Sequence, residues 1–400
     1  MHMEKLTEQM NASQVFCPNL ECKARGQVGQ GNIVIHSRSR PRYRCKTCRK
    51  TFSAKQGTLF AGLRKPTEVI VLAVTLLAYG CPVQAIVHAF ELDERTVASW
   101  RDRAGRHCEQ VHHALVEQGK LDLVHVQADE IRVKGRQLIA WMGLAMMVPT
   151  RLWLAGVVSA RRDRALADRL LGQVRACAQG VCALLVCTDG WAAYPNSIRR
   201  AFREKLKTTA GRGRAALQVW PQLHIGVVIK HTVKYHLTHI TRRMAQGGLE
   251  QATALLSASR GGSVLNTAFI ERLNGTMRER LATLTRKCRH AAHRLIALHT
   301  GMYLLGCTYN FCWPHQELSR STPDAETGKR IWVDCTPAMA SGVTDHVWSL
   351  FELMSHRVAP PLWSVPKRRG RPRIRPLPDS TAPKRPRGRP PKVAAGSSTS

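Results

Sequence analysis

The 400-residue chain carries 61 Lys and Arg against 27 Asp and Glu, a formal net charge of +34, and an excess of that size selects a polyanion, nucleic acid first, as partner. A membrane partner is disfavoured. The longest apolar run, Val69 to Ala78, is broken by Thr75 and falls far short of the roughly 20 residues a span requires. The N-terminal MHMEKLTEQMNAS has no apolar signal core, and 13 cysteines, an odd number, would be hazardous in an oxidising compartment, so a cytoplasmic protein is expected.

The first element is a cysteine ribbon, residues 14–56. Cys17 and Cys22 lie in CPNLEC, Cys45 and Cys48 in CKTC, with a Gly-containing stretch and a strand-like IVIHSRSRPRYR between them. Two short knuckles of this kind chelate a structural Zn²⁺, which substitutes for a core that so few residues cannot build. Arg38, Arg40, Arg42, Arg44, Arg49 and Lys50 point the ribbon toward phosphate.

Residues 64–116 read as an all-α helix-turn-helix domain. TEVIVLAVTLLAYG is a helix ended by Gly80, PVQAIVHAF a short helix opened by Pro82, and DERTVASWRDRAGRH a third helix with Asp93 as cap. Ile86, Val87, Val97 and Trp100 form the apolar seam. Arg95, Thr96, Ser99 and Arg101, with Glu94 and Arg103, are expected to project from the recognition helix toward DNA.

From about Leu121 the pattern changes to long apolar runs. LDLVHVQADEI, QLIAWMGLAMMVP and RLWLAGVVSA read as three consecutive strands, DRALADRLLGQVRAC as a helix, CALLVCTDG as a fourth strand and WAAYPNSIRRAF as a helix. Three adjacent strands and a fourth reached through a helical crossover is the order of an RNase H-like α/β domain, assigned here to residues 121–320. The basic stretch from Glu204 to Ala258 has no strong signature and is read as an insertion or substrate-binding segment. A helix starting near Asn266 places Ile270, Leu273, Met277, Leu281 and Leu284 on an apolar face, with Glu271, Asn274 and Arg278 together on the adjoining one.

A C-terminal extension (321–358) precedes a basic tail (359–400) rich in Pro, Arg, Lys and Ser, which is expected to be disordered. Its RRGRP and PRGRP segments resemble AT-hooks, in which Arg369, Arg371, Arg387 and Arg389 would enter a narrow A·T minor groove.

Against this basic background three acids stand out. Asp129 closes LVHVQAD, Asp189 closes ALLVCTD, and Glu271 lies in the late helix. Carboxylates so ordered suit a pair of Mg²⁺ (or Mn²⁺) ions acting on a nucleic-acid phosphate. Glu130 competes with Asp129, but neighbouring strand residues point to opposite faces, so only one is expected to serve. Asp129 is chosen because it shares the parity of His125 and Gln127.

The order CPNLEC, YRCKTCRKTFS, helix-turn-helix, QADE, TDGWAAYP, NTAFIERLNGTMRERLATLTRK and YNFCWPHQEL resembles bacterial insertion-sequence transposases with a zinc-ribbon N-terminus and an Asp-Asp-Glu catalytic domain, over about Cys17 to Leu318. The TDG and FIERLN segments carry most of the likeness. It implies a DNA transposase that binds element ends and catalyses metal-dependent cleavage and strand transfer, with Asp129, Asp189 and Glu271 as the triad and Asn274 in support; the shared helix face adds Arg278 as a second supporting residue. The implied partners are double-stranded DNA, as element ends and target, and further copies of the chain in a nucleoid-associated active complex. Trp313 departs from the pattern, since such proteins often carry Arg there, whereas His315 fits it. The other class of function is a catalytically inactive, transposase-derived DNA-binding regulator or architectural protein, against which the complete acidic trio argues.

Overall fold

A computed structural model describes residues 11–135, 138–205, 216–234, 236–284, 294–323 and 328–365. The AT-hook-like arginines Arg369, Arg371, Arg387 and Arg389 lie outside the described residues.

The N-terminal ribbon is a three-stranded antiparallel meander of β1 (Ile33–Ser37), β2 (Arg42–Cys45) and β3 (Thr51–Ser53). Its small core holds Val15, Ile33, Tyr43 and Phe52 together with the buried cysteines 17, 22 and 45. So little apolar surface is a weak driving force for folding on its own, and the cysteines occupy the centre of it.

Three helices follow: α1 (Thr67–Ala78), α2 (Val83–Phe90) and α3 (Glu94–Leu115). Gly80, at φ +83°, stops the first. Asp93 Oδ1 caps the third by accepting from the backbone N–H groups of Arg95 and Thr96 at 2.9 and 3.2 Å. The expected third helix ends at His107, but α3 continues to Leu115 because Cys108 and Val111 prolong the buried stripe of Val97, Trp100 and Ala104. That stripe packs on the later helix Leu295–Phe311, so the helices share one continuous core with the central sheet.

The sheet is built from β4 (His125–Gly135), β5 (Leu138–Met147), β6 (Trp153–Ser159) and, after α4 (Arg164–Cys177), β7 (Leu184–Asp189). Next come α5 (Ala193–Ala201), the short pair β8 (Arg203–Lys205) and β9 (Leu217–Val219), then β10 (Leu223–Val233) and β11 (His236–Gln246). The six-stranded order is β11-β10-β7-β4-β5-β6. β7 runs parallel to both β4 and β10, and the remaining pairs are antiparallel. The stretch after Glu204, read from sequence as an insertion, therefore supplies two strands of the central sheet. Ile225 to Val228 are buried there, and the polar, basic residues that masked the signal belong to β11 at the exposed edge.

Helices α6 (Leu249–Ala258), α7 (Ala268–Arg280) and α8 (Leu295–Phe311) follow. Strand parity assigns the layers. Glu130 pairs with Gly143, which rests on Leu166 and Leu170 of α4. Asp129 pairs with Leu144 and Leu144 with Gly156, which rests on Met302 of α8. One face is thus covered by α4 and α5, the other by α6, α7 and α8. The late helix ends at Arg280, one residue before Leu281, which is still buried.

The chain then forms β12 (Arg320–Pro323), β13 (Arg330–Val333), α9 (Pro337–Ala340) and α10 (Leu350–Ser355). This extension returns to the ribbon linker: the Met354 carbonyl accepts from Leu59 N–H at 3.0 Å and Phe351 stacks on Phe60. No described helix is long and apolar enough to cross a membrane.

Candidate metal centres and nucleic-acid interface

The four ribbon cysteines converge. Cys17 and Cys48 Sγ are 3.7 Å apart, Cys22 and Cys45 Sγ 3.8 Å, and all four sulfurs lie within 4.8 Å of one another. A tetrahedral ion with metal–sulfur bonds of about 2.3 Å requires sulfur–sulfur edges of about 3.8 Å, so the cluster has the dimensions of a four-thiolate metal site. Burial pushes the Cys17 and Cys22 thiols up, whereas Cys48, beside the Lys50 backbone N–H and Asn19, is pulled down to about 7 although its own burial opposes this. A bound cation would favour the thiolate at all four.

The second cluster sits where β7 ends beside the middle of β4; Asp129 does not close its strand as expected, because β4 runs on to Gly135 paired with β5. Asp129, Asp189 and Glu271 all line one cleft of about 600 Å³, with Arg162, Lys230 and Thr267 on its walls. Strand direction explains the meeting: β4 and β7 are parallel neighbours in register from His125 opposite Leu185 to Ala128 opposite Thr188, so Asp129 and Asp189 emerge at the same edge. Helix α7 is fixed over them by Gln127, whose Oε1 accepts from Phe269 and Ile270 N–H at 3.1 and 3.0 Å. His125, on the same face, meets Ser259 at 3.0 Å.

Each acid is individually held. Asp129 accepts from Asn274 Nδ2 at 2.7 Å and from the Glu130 backbone N–H at 2.8 Å. Asp189 accepts from Trp191 N–H at 3.0 Å and lies 3.4 Å from Arg162. Glu271 accepts from Thr267 Oγ1 and from Lys230 Nζ. Glu130 points to the other face of β4, where Tyr194 donates to it at 2.7 Å and Arg162 pairs with it.

The expectation that only one of Asp129 and Glu130 could serve needs correction. Carboxylate oxygens of Asp129, Glu130 and Asp189 lie within 4.8 Å of one another. Pleating separates the two β4 side chains, but both reach Asp189 at the end of β7. This trio could hold a metal ion. Glu271 borders the same cleft from α7 and stands outside that closest group.

The electrostatics fit a cation site. Burial first, and then the charges of Glu130, Asp189 and Glu271, push Asp129 up to about 7, against the pull of the Glu130 N–H. Burial and the charge of Asp189 raise Glu130 as well, opposed by Tyr194 and Arg162. Like charges crowded at a partly buried edge repel, and a divalent ion between them would relieve that repulsion.

The remaining predicted residues separate into free and engaged. Arg95 and Ser99 are exposed and Thr96 is half-buried at the start of α3. Arg101 is paired with Asp102 at 3.0 Å, and Arg103 donates to the Leu59 and Ala61 carbonyls, so neither projects freely. Arg278 is exposed one turn beyond Asn274. Asn274 itself is 1 % exposed and donates to Asp129. At the departure noted for Trp313, Arg280 lies 5.6 Å from the ring centroid, bringing a cation to that aromatic surface. Sequence reasoning missed Arg162 and Lys230. Arg162 lies over Trp141 and Trp191 at 5.2 and 4.6 Å, a contact between segments that no local spacing announces.

Comparison of the chain with protein families and with curated proteins returns no match.

Proposed function

We propose that this protein is a DNA transposase-type enzyme that cleaves and rejoins phosphodiesters with divalent ions held by Asp129, Asp189 and Glu271. The observation that carries the reading is the convergence of these acids, far apart in sequence, on one cleft in a chain of net charge +34. The order β6-β5-β4-β7-β10, with β4, β7 and β10 parallel, supports an RNase H-like reading of the sheet. The sulfur geometry supports a structural Zn²⁺ in the ribbon, and the exposed start of α3 supports a DNA-facing helix.

When bound, Mg²⁺ or Mn²⁺ would supply a lowered pKa for an attacking water or 3′-hydroxyl and charge neutralisation at the leaving oxygen. The protein's own groups would do the rest. Asp129, midway along β4, and Asp189, at the end of the neighbouring β7, would define where the ions sit. Asn274 fixes Asp129 Oδ2 by hydrogen bond, so that its other oxygen and Asp189 keep one geometry. Arg162, flanked by two indoles and anchored on Glu130, places a fixed positive charge at the cleft wall for backbone phosphate.

The test is strand transfer with purified protein, Mg²⁺ and a plasmid carrying the gene with its native flanking DNA. Ion-dependent joining of flank ends to a target duplex is expected. Binding of the flanks without any ion-dependent cleavage would instead identify a DNA-binding regulator.

A further inference from the structure

The third acid of the cleft already has a cation on it. Lys230 Nζ lies 2.5 and 2.6 Å from the two carboxylate oxygens of Glu271, so one ammonium covers both. The register explains how it gets there. Val228, opposite Asp189, is the last residue of β10 paired with β7. Beyond it β10 continues paired with β11, and Lys230, two residues on and therefore on the same face, leans over the cleft. Arg162 faces it from the opposite wall, between Glu130 and Asp189.

The two cations are held differently. Arg162 is gripped by a buried carboxylate and two indole rings. Among the described residues Lys230 is bound by Glu271 alone, and both side chains are about two-fifths exposed (43 and 41 %). An exposed pair of this type is weak and readily exchanged, and a lysine stem swings through several rotamers where a stacked guanidinium does not.

Resting on the metal-dependent reading above, we propose that Lys230 is an exchangeable internal cation: it neutralises Glu271 until a divalent ion enters, is displaced by that ion, and then positions the DNA phosphate arriving at the same cleft. Lys230 is thus both a competitor of the metal and a substrate-positioning residue. The two roles predict opposite effects of removing it, tighter metal binding and poorer use of DNA, which a purely structural salt bridge would not produce.

The probe is Mn²⁺ alone, titrated by electron paramagnetic resonance into full-length protein with zinc supplied, comparing wild type, Lys230→Gln and Lys230→Arg. Removing one unit charge a few ångströms from a divalent ion is expected to tighten Mn²⁺ binding on the order of three- to tenfold in Lys230→Gln, and Lys230→Arg should remain near wild type. Thermal melting of Lys230→Gln checks that the fold survives. Glu271→Gln removes the carboxylate for which lysine and ion compete, so adding Lys230→Gln to that variant should tighten Mn²⁺ binding less than it does in the wild type. In cleavage assays at saturating Mn²⁺, Lys230→Gln should raise the DNA concentration needed for half-maximal rate. Unchanged or weaker Mn²⁺ binding in a folded Lys230→Gln overturns the exchange. Absence of Mn²⁺ binding in every protein overturns the metal site itself and the exchange with it.

Discussion

Asn274 illustrates how much rests on single side chains in the cleft. It is almost fully enclosed, gives its N–H to Asp129 Oδ2, and its own Oδ1 has no partner among the described residues. Asn274→Ala should therefore lower cleavage at saturating metal by about 10- to 100-fold, the usual effect of losing a group that orients a ligand, with DNA affinity unchanged in a filter-binding assay. Equal loss of rate and affinity would place Asn274 against the DNA instead. Asp129→Asn, Asp189→Asn and Glu271→Gln should each abolish cleavage and leave DNA binding within about a few-fold, since the charge they remove repels the polymer. Full activity in any one of them removes that residue from the site. Asp129 was legible because strand parity links it to His125 and Gln127, and all three face α6 and α7. Arg162 and Lys230 were not, because their importance lies in partners 32 and 41 residues away.

At the scale of elements, the close packing of α3 on α8 gives a sharp test. A Cβ at Gly105 would overlap the Thr300 carbonyl group, and backbone on both sides leaves no flexible group to yield. Gly105→Ala should destabilise the protein by about 1–3 kcal/mol, as overpacking does, seen as a lower denaturant midpoint with zinc content intact. An unchanged midpoint would mean that α3 and α8 are farther apart. In the ribbon, Cys48→Ser should release the metal, unfold the meander and weaken DNA binding, because the core around Tyr43 and Phe52 is too small alone. Metal analysis finding no zinc in the wild type, or equal zinc in the variant, contradicts this. The first three sheet strands and the helix after them were readable from apolar runs bounded by turns. β10 and β11 were not, because one is short in its buried part and the other is an exposed basic edge whose alternation a polar sequence hides.

Over the whole molecule, one apolar core runs from Leu59 to Met354, and it encloses histidines that set the pH range of stability. Burial lowers His107 and His112 to about 4, and burial with the nearby Arg151 charge lowers His125 to about 3. Each is depressed below its ordinary value near 6.5, so the fold keeps them neutral while the unfolded chain takes up protons. Stability should be fully present above about pH 6.5 and fall as the pH drops from there toward about 4, by up to roughly 2–3 kcal/mol per histidine. Denaturant midpoints at pH 7.5 and pH 5 check this, and a flat profile would show that these rings are solvated. In a chain of net charge +34, the fold gathers Asp129, Asp189 and Glu271 into one cleft.

The central claim is that Asp189 holds the divalent ion that drives DNA cleavage, and replacing its oxygen ligand by sulfur tests it most directly. Mg²⁺ binds thiolate poorly, whereas Mn²⁺ and softer ions accept it. Asp189→Cys should be inactive with Mg²⁺ on the plasmid bearing the native flanks and should regain cleavage with Mn²⁺, while the wild type works with both. Cleavage by Asp189→Cys at the wild-type rate in Mg²⁺, or a wild type that cuts in neither ion, would contradict the account.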